Sequence, residues 1–241
     1  MCGTCGCGDP DVVPLDVQER ILSDNDRIAG HNRAHFAEHG VLAVNVMGSP
    51  GGGKTALLEA TSRAYAGRAR LAAANGDLAT DRDARRLREA GIPTVSITTG
   101  DACHLDARLV HRALHDVALD GVDVFFVENV GNLVCPAIYD LGEAARVVVL
   151  SVTEGDDKPL KYPVMFREAD LVVLTKIDLL PHLPQVSVAR IEDALARTMP
   201  EPRMLPVSAV TGEGVDAWIA WLDGRRAAAP RTAGHAHGHH H

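Results

Sequence analysis

The sequence lacks both a hydrophobic run long enough to cross a membrane and an excess of basic residues. No window reaches the roughly 18 to 20 uninterrupted apolar residues that a spanning helix needs, and the N-terminus has no basic segment followed by an apolar one. Twenty-four Lys and Arg stand against 32 Asp and Glu, a formal net charge of −8. Because nonspecific binding of nucleic acid requires clustered Lys and Arg, we expect no nucleic-acid partner. Because a spanning segment and a signal segment are both missing, we expect a cytoplasmic protein that does not bind membranes.

The sequence also lacks the paired cysteines of a disulfide-stabilised secreted domain. It has five cysteines, an odd number, among 241 residues, and a chain of this length can bury a core without disulfides. Apolar residues make up 46% and charged residues 23%, which excludes disorder throughout. In a reducing compartment the thiols are metal ligands, catalytic groups or small buried residues, and their spacing has to decide among these.

Short apolar runs alternate with longer segments of helical spacing over most of the chain. Residues 17–39 have the spacing of one leading helix, which Gly30 is able to interrupt. Continuous apolar strands separated by helices are typical of a mainly parallel sheet that is covered on both faces. We therefore predict a doubly wound α/β domain of about seven strands, at residues 41–47, 71–75, 94–98, 123–128, 147–152, 171–175 and 204–208.

A phosphate-binding loop lies directly after the first apolar run. Residues 48–55 read Gly-Ser-Pro-Gly-Gly-Gly-Lys-Thr, which satisfies G-x-x-x-x-G-K-[ST] between a strand and a helix. Glycines let backbone N–H groups converge on phosphates, and the helix N-terminus adds positive charge. We expect Lys54 to neutralise the β- and γ-phosphates and Thr55 to bind Mg²⁺. The loop glycines predicted to bind the nucleotide are Gly48, Gly51, Gly52 and Gly53.

A second motif indicates that the base is guanine. Thr175-Lys176-Ile177-Asp178 resembles the Asn-Lys-x-Asp motif of GTPases, with Thr in place of Asn. The Asp178 carboxylate is able to accept the N1–H and 2-amino protons of guanine, whereas adenine would leave that charge unpaired. The change to Thr175 removes a side chain that ties loops together. Ser208 and Ala209 follow the last run and resemble the loop whose backbone N–H meets guanine O6.

Two acidic residues at the ends of apolar runs are candidates for the remaining Mg²⁺ ligands. They are Asp77 and Glu128, and Glu128-Asn-Val-Gly131 occupies the place of the usual Asp-x-x-Gly. Mg²⁺ in phosphate sites takes one or two carboxylates together with phosphates and waters. The Gly131 N–H is expected to sense the γ-phosphate. Asp77 is a better candidate for positioning the attacking water than Asn132, at which some GTPases carry glutamine. Lys54, Thr55, Asp77 and Gly131 are therefore the predicted catalytic residues.

Three of the five cysteines lie within six residues at the N-terminus. Cys2-x-x-Cys5-x-Cys7 is a compact set of thiolates that suits square-planar Ni²⁺, although Zn²⁺ would also bind. Cys103-His104 is a second candidate metal pair. Cys135 follows Gly131 by four residues, so a metal held in part by Cys135 would respond to the loss of the γ-phosphate.

Seven motifs taken together resemble the HypB-type hydrogenase nickel-incorporation GTPases. The resemblance implies a P-loop GTPase of the dimerising type known as SIMIBI. The similarity extends from the N-terminus to about residue 223. The motifs are Cys-x-x-Cys-Gly-Cys at 2–7, Asn-Asp-Arg-Ile-Ala at 25–29, the phosphate loop at 48–55, Gly-Asp-Leu-Ala-Thr-Asp at 76–81, Cys-His-Leu-Asp at 103–106, Glu-Asn-Val-Gly-Asn-Leu-Val-Cys-Pro at 128–136 and Asp-Lys-Pro-Leu-Lys-Tyr-Pro at 157–163.

The resemblance implies a GTP hydrolase that dimerises with nucleotide bound and helps deliver nickel to the large subunit of [NiFe]-hydrogenase, together with other maturation proteins. By position, Cys2, Cys5 and Cys7 match a high-affinity nickel site of some members. Cys103, His104 and Cys135 match a nickel or zinc site in the GTPase domain. The resulting division is a flexible metal-binding arm at 1–16, a GTPase domain with its leading helix at 17–223, and a disordered histidine-rich tail at 224–241.

Three other functions are compatible with a phosphate loop. A urease-type accessory GTPase carries its metal on Cys-Pro-His, but Ala137 follows Cys135-Pro136 here. A nickel storage protein would not need the intact Lys54, Thr55 and Asp178. A small-molecule kinase would need an acceptor pocket, which no motif indicates. The histidine-rich C-terminus departs from the family pattern and is either a native nickel reservoir or an added tag.

Overall fold

The computed structural model describes residues 15–77, 80–100 and 104–228, which contain one seven-stranded sheet. The strand order is β3-β2-β4-β1-β5-β6-β7, and every neighbouring pair is parallel. This agrees with the predicted sheet, and no strand boundary differs from the prediction by more than two residues. The strands are β1 (Leu42–Gly48), β2 (Leu71–Asp77), β3 (Thr94–Thr98), β4 (Val124–Glu128), β5 (Ala145–Ser151), β6 (Leu171–Thr175) and β7 (Met204–Val207).

Helices cover both faces of the sheet because each central strand is apolar on both sides. Val44 and Val46 of β1 pack in the same core cluster as α2 and α8, whereas Ala43 packs with α1 and α4 on the opposite face. The helices are α1 (Leu15–Glu38), α2 (Lys54–Tyr65), α3 (Arg82–Glu89), α4 (Ala107–Leu114), α5 (Lys158–Lys161), α6 (Pro163–Arg167), α7 (Val188–Thr198) and α8 (Val215–Ala228), with 3-10 turns at Cys135–Ala137, Val152–Glu154 and Ile177–His182.

The two terminal helices are longer than the sequence indicated. Helix α1 begins at Leu15, two residues before the predicted start, and continues through Gly30 without interruption. Helix α8 runs to Ala228, five residues beyond the predicted end of the GTPase domain at 223. Its side chains Trp218 and Leu222 are buried, which gives the helix the packing that sustains it.

The parallel arrangement brings the carboxyl ends of all seven strands to one edge of the sheet. β1 ends at Gly48, β2 at Asp77, β4 at Glu128 and β6 at Thr175, which are four of the positions that the sequence marks as functional. In open α/β sheets ligands bind at this edge. Within the described ranges, no helix is long and apolar enough to cross a membrane.

Candidate nucleotide and metal site

The phosphate loop joins β1 to α2 in a conformation that only glycine accommodates at two of its positions. Gly48 has φ +149°, and a Cβ there would lie 2.3 Å from the Val149 carbonyl oxygen. Gly53 has φ +101°, and a Cβ there would lie 3.4 Å from the Thr175 hydroxyl oxygen. The loop therefore passes close to β5 and β6, and its path depends on the absence of side chains.

Lys54 and Thr55 are the first two residues of α2, and both are buried. The Lys54 ammonium donates to the carbonyl oxygens of Gly48, at 3.1 Å, and Ser49, at 3.2 Å. Burial lowers the pKa of Lys54, and the nearby Glu128 carboxylate offsets part of that effect. A phosphate would give this cation the negative partner that loop carbonyls supply only in part.

Thr55 and Glu128 face each other where the sequence predicts Mg²⁺. The Thr55 hydroxyl donates to Glu128 Oε1 at 2.6 Å, whereas the second carboxylate oxygen, Oε2, is buried without a hydrogen-bond partner. Burial raises the pKa of Glu128, which is only 2% exposed. A buried carboxylate oxygen with no donor beside a hydroxyl is a suitable pair of hard oxygen ligands, so these residues fit Mg²⁺.

The remaining predicted catalytic residues, Asp77 and Gly131, line the same cavity of about 370 Å³. Asp77 accepts a hydrogen bond from the Thr80 hydroxyl at 2.6 Å. Gly131 lies against the phosphate loop, where a Cβ would be 2.8 Å from the Pro50 nitrogen. The fold thus gathers Lys54, Thr55, Asp77, Glu128 and Gly131 around one space at the β1–α2 loop.

The cavity has two further charged residues that the sequence analysis missed, Asp83 and Arg86. Both belong to α3. Arg86 forms two 2.9 Å hydrogen bonds with the Glu59 carboxylate and one of 3.0 Å with Asp83, and the bond to Glu59 is the main cause of its raised pKa. Their three-residue spacing just after Asp77 was the available signal, since it places both on one helix face.

The predicted base-binding residues lie on the other side of the phosphate loop. The Thr175 hydroxyl donates to the Gly52 carbonyl oxygen at 2.6 Å and the Lys176 ammonium to that of Gly51, also at 2.6 Å. The expectation that Thr175 no longer ties loops together is therefore wrong. Asp178 accepts from the Ser208 hydroxyl at 2.6 Å. The Ser208 N–H donates to the Glu213 carbonyl oxygen, so the Ala209 N–H is the better candidate for a hydrogen bond to guanine O6.

The structure brings one half of the predicted inner metal site against the segment that carries the other half. The His104 ring stacks on the Tyr139 ring, with centroids 4.1 Å apart, and Cys135 begins the 3-10 turn four residues before Tyr139. Burial lowers the pKa of His104, and Asp106 opposes that effect. Among residues 15–77, 80–100 and 104–228, no three His, Cys, Asp or Glu side chains are placed to hold a metal ion. The other predicted ligands, Cys2, Cys5, Cys7 and Cys103, lie outside the described residues.

A buried asparagine connects the end of β4 to the segment that carries His104. Asn129 follows Glu128, and its Oδ1 accepts a hydrogen bond from the Leu105 N–H at 3.2 Å. The Leu105 side chain in turn packs on Gly76, where a Cβ would lie 2.9 Å from it. The residue after His104 therefore contacts the strand ends that carry Glu128 and Asp77.

Comparison with known proteins places this geometry in a family. Residues 42–206 match the family model "CobW/HypB/UreG, nucleotide-binding domain". The hydrogenase maturation factor HypB of Rhizobium leguminosarum bv. viciae is 52% identical over 209 residues, which cover 87% of this chain and 70% of that protein. The chain belongs to the HypB family of hydrogenase maturation factors. The family expected from the seven motifs is thereby confirmed.

Solved HypB structures share the fold of this chain. HypB from Helicobacter pylori in complex with nickel is 36% identical, with a TM-score of 0.81 over 88% of this chain and 99% of that one. Hydrogenase maturation factor HypB from Archaeoglobus fulgidus is 38% identical, with a TM-score of 0.79 over 85% of this chain and 100% of that one. These likenesses confirm the predicted P-loop fold of the SIMIBI class and place the chain in a GTPase family.

Proposed function

We propose that this chain is a cytoplasmic, GTP-hydrolysing nickel metallochaperone that helps insert nickel into the large subunit of [NiFe]-hydrogenase. Its nucleotide state controls both dimerisation and metal affinity. The observation that carries the proposal is the Asn129–Leu105 hydrogen bond, which joins the segment after β4 to the residue that follows His104. Family membership supports the GTPase activity, and the H. pylori relative is a HypB in complex with nickel.

On the nucleotide side, each residue has a separate task. Lys54 binds the β- and γ-phosphates, Thr55 and Glu128 hold Mg²⁺, and Asp77 positions the attacking water. When bound, Mg²⁺ would neutralise charge on the phosphate oxygens as the bond to the γ-phosphate breaks. On the other side of the loop, Asp178 recognises guanine.

On the metal side, Cys103, His104 and Cys135 hold the nickel ion, or zinc in its place. The lowered pKa of His104 favours the neutral imidazole that binds metals. The adjoining surface is apolar, because Val134 is 55% and Ile138 53% exposed on either side of the Cys135 turn. A second copy of the chain covering this surface would bury both side chains, which supports dimerisation beside the metal.

The coupling between the two sides follows from where Gly131 lies. A γ-phosphate that accepts the Gly131 N–H holds the segment after β4 against the phosphate loop. Phosphate release frees that segment, and with it Cys135, four residues further on. Through its hydrogen bond to Leu105, Asn129 would transmit the same change to His104, so GTP hydrolysis would lower the affinity for the metal.

Nickel affinity in the presence of GDP and of a non-hydrolysable GTP analogue tests this proposal. The background is the full chain with Cys2, Cys5 and Cys7 changed to serine and the C-terminal histidines at 235–241 changed to asparagine. We expect an affinity difference of about fivefold or more between the two nucleotides, the lower end of typical couplings between sites. In Cys135→Ser the affinity should fall and the difference should disappear.

Ala196→Ser, a similarly small change at an exposed residue of α7, is the control and should behave as the parent does. Equal nickel affinity with both nucleotides in the parent would contradict the coupling. Absence of GTP hydrolysis above the buffer rate at every nickel concentration would favour a storage protein.

The N-terminal cysteines are expected to form a separate and tighter site. Changing Cys2, Cys5 and Cys7 to serine in the otherwise unchanged chain should lower the nickel stoichiometry, measured by elemental analysis, by about one ion per chain, because thiolates are the preferred ligands of such metals. The GTP hydrolysis rate should stay within about twofold of the parent rate, since these residues precede α1 and the phosphate loop. An unchanged stoichiometry would show that the arm is not a nickel site.

A further inference from the structure

Two buried asparagines on α1 have no part in the nucleotide site. Asn25 is 7% and Asn32 0% exposed, and their seven-residue spacing puts them on one face of the helix, two turns apart. Asn25 opens the Asn-Asp-Arg-Ile-Ala motif to which the nucleotide site gives no role. A buried amide is retained only where its donors and acceptor find partners, so the partners of these two side chains indicate what they do.

Both asparagines connect the same two segments of the chain. Asn25 Oδ1 accepts the Ala107 N–H at 2.9 Å while its Nδ2 donates to the Asp140 carbonyl oxygen at 2.8 Å. Asn32 Nδ2 donates to the Ala107 carbonyl oxygen at 2.9 Å and to that of Leu141 at 3.0 Å. Each side chain thus bridges the start of α4 and the segment that precedes β5.

These are the segments that carry the two halves of the inner metal site. Ala107 follows His104 by three residues, and Asp140 follows Cys135 by five. Surface ion pairs repeat the pattern, with Asp24–Arg108 at 2.5 Å on one side and Arg33–Asp140 at 2.7 Å on the other.

The second segment also docks closely on the α1 backbone. A Cβ on Gly142 would lie 2.5 Å from the Ala29 carbonyl oxygen, and Gly142 has φ +89°. Helix α1 and this segment are therefore in close backbone contact beside the hydrogen bonds of Asn25 and Asn32.

We infer that Asn25 and Asn32 are positioning residues that fix the distance between two ligands of a divalent-metal site, His104 on one segment and Cys135 on the other. Metal ions tolerate only small errors in ligand placement, so ligands on two separate segments need a third element that holds both segments in place. Helix α1 is that element. This inference rests on the proposed metal site and adds the residues that assemble it.

Asn25→Asp and Asn25→Ala test the inference in the same background of serine and asparagine substitutions. In Asn25→Asp the carboxylate still accepts the Ala107 N–H, but its second oxygen faces the Asp140 carbonyl oxygen, to which it has no proton to donate. Asn25→Ala removes both hydrogen bonds. We expect each to weaken Ni²⁺ and Zn²⁺ binding, measured by competition with a chromophoric chelator, by about tenfold or more. The nickel–thiolate charge-transfer absorption should weaken as well, while affinity for a GTP analogue stays within about twofold.

Two controls separate positioning from general loss of stability. Arg27→Ala removes an exposed ion pair within the same helix, to Asp24, and Tyr65→Phe removes the 3.0 Å hydrogen bond to Asp223. Tyr65 packs in the core cluster on the opposite face of the sheet. Both control variants should bind metal with the affinity of the parent. The urea concentrations at the midpoint of unfolding show whether Tyr65→Phe loses as much stability as the Asn25 variants do.

The outcomes distinguish the inference from the function on which it rests. Parent-like metal affinity in either folded Asn25 variant overturns the positioning role, as does an equal loss of affinity in Tyr65→Phe. If Cys135→Ser in this background binds as tightly as the parent, the proposed metal site itself is wrong. If only Asn25→Ala folds, its affinity alone decides.

Discussion

Asp178→Asn is expected to change the base preference of the chain from GTP to XTP. The Asp178 carboxylate is positioned by the Ser208 hydroxyl at 2.6 Å and follows β6 at the edge where the phosphate loop lies. Guanine presents donors at N1 and at its 2-amino group, so an asparagine amide would set a donor against a donor. Xanthine has a carbonyl at C2, which accepts from the new amide.

The expected magnitude is a fall of about a hundredfold or more in the ratio of GTP to XTP affinity, because a buried polar group without a partner discriminates strongly. Competition binding of the two nucleotides measures this ratio. Asp193→Asn, at a carboxylate of α7 that is 61% exposed, is the matched control and should leave the ratio unchanged. A ratio in Asp178→Asn equal to that of the parent would contradict the base assignment.

Glu128→Gln is expected to lower Mg²⁺-dependent GTP hydrolysis by about a hundredfold or more while making the nucleotide-free protein more stable. Loss of the anionic ligand beside Thr55 removes most of the local attraction for Mg²⁺. In the free protein, however, the Glu128 carboxylate is buried with one oxygen unpaired, and burial raises its pKa. A neutral amide does not carry that desolvation cost.

The pH dependence of stability gives the sign of this effect. An acid whose pKa is raised in the folded chain stays protonated to a higher pH there than in the unfolded chain. Its contribution to the free energy of unfolding therefore falls as the pH rises above the ordinary glutamate pKa of 4.5. Urea unfolding of the nucleotide-free and Mg²⁺-free proteins should therefore show a gain for Glu128→Gln at pH 7 that shrinks toward pH 4.5. Glu192→Gln, at an exposed residue of α7, should show no such gain. A loss of stability in Glu128→Gln at pH 7 would refute this reading.

Much of the fold was predictable because the signals are local. Strands β1, β5 and β6 are continuous apolar runs, and such runs fit only a sheet covered on both faces. The phosphate loop was equally clear, because its glycines, Lys54 and Thr55 are contiguous. The ends of α1 and α8 were less predictable, because helix termini carry weaker sequence signals than the apolar spacing of a helix interior.

The predicted residues that line the cavity were indicated by motifs, whereas the contacts that the candidate site residues make were not. Thr175 appeared to lose a contact when compared with the usual asparagine, yet its hydroxyl reaches the Gly52 carbonyl, 123 residues away in the chain. The spacing of Asp83 and Arg86 places both on one face of α3, but it does not indicate which way that face points. Their position at the cavity depends on how α3 packs beside β2, and for that reason they were missed.

The parallel sheet and the phosphate loop could be read from the sequence, which also supplied the candidate sulfur and imidazole ligands, since each of these features is encoded in a few neighbouring residues. That α1 joins the His104 and Cys135 segments, and that Asn129 connects the His104 segment to the end of β4, became visible only in the folded chain. These contacts are hydrogen bonds of about 3 Å made by buried amides, and their partners lie 24 to 115 residues away and meet only once the sheet and helices have packed.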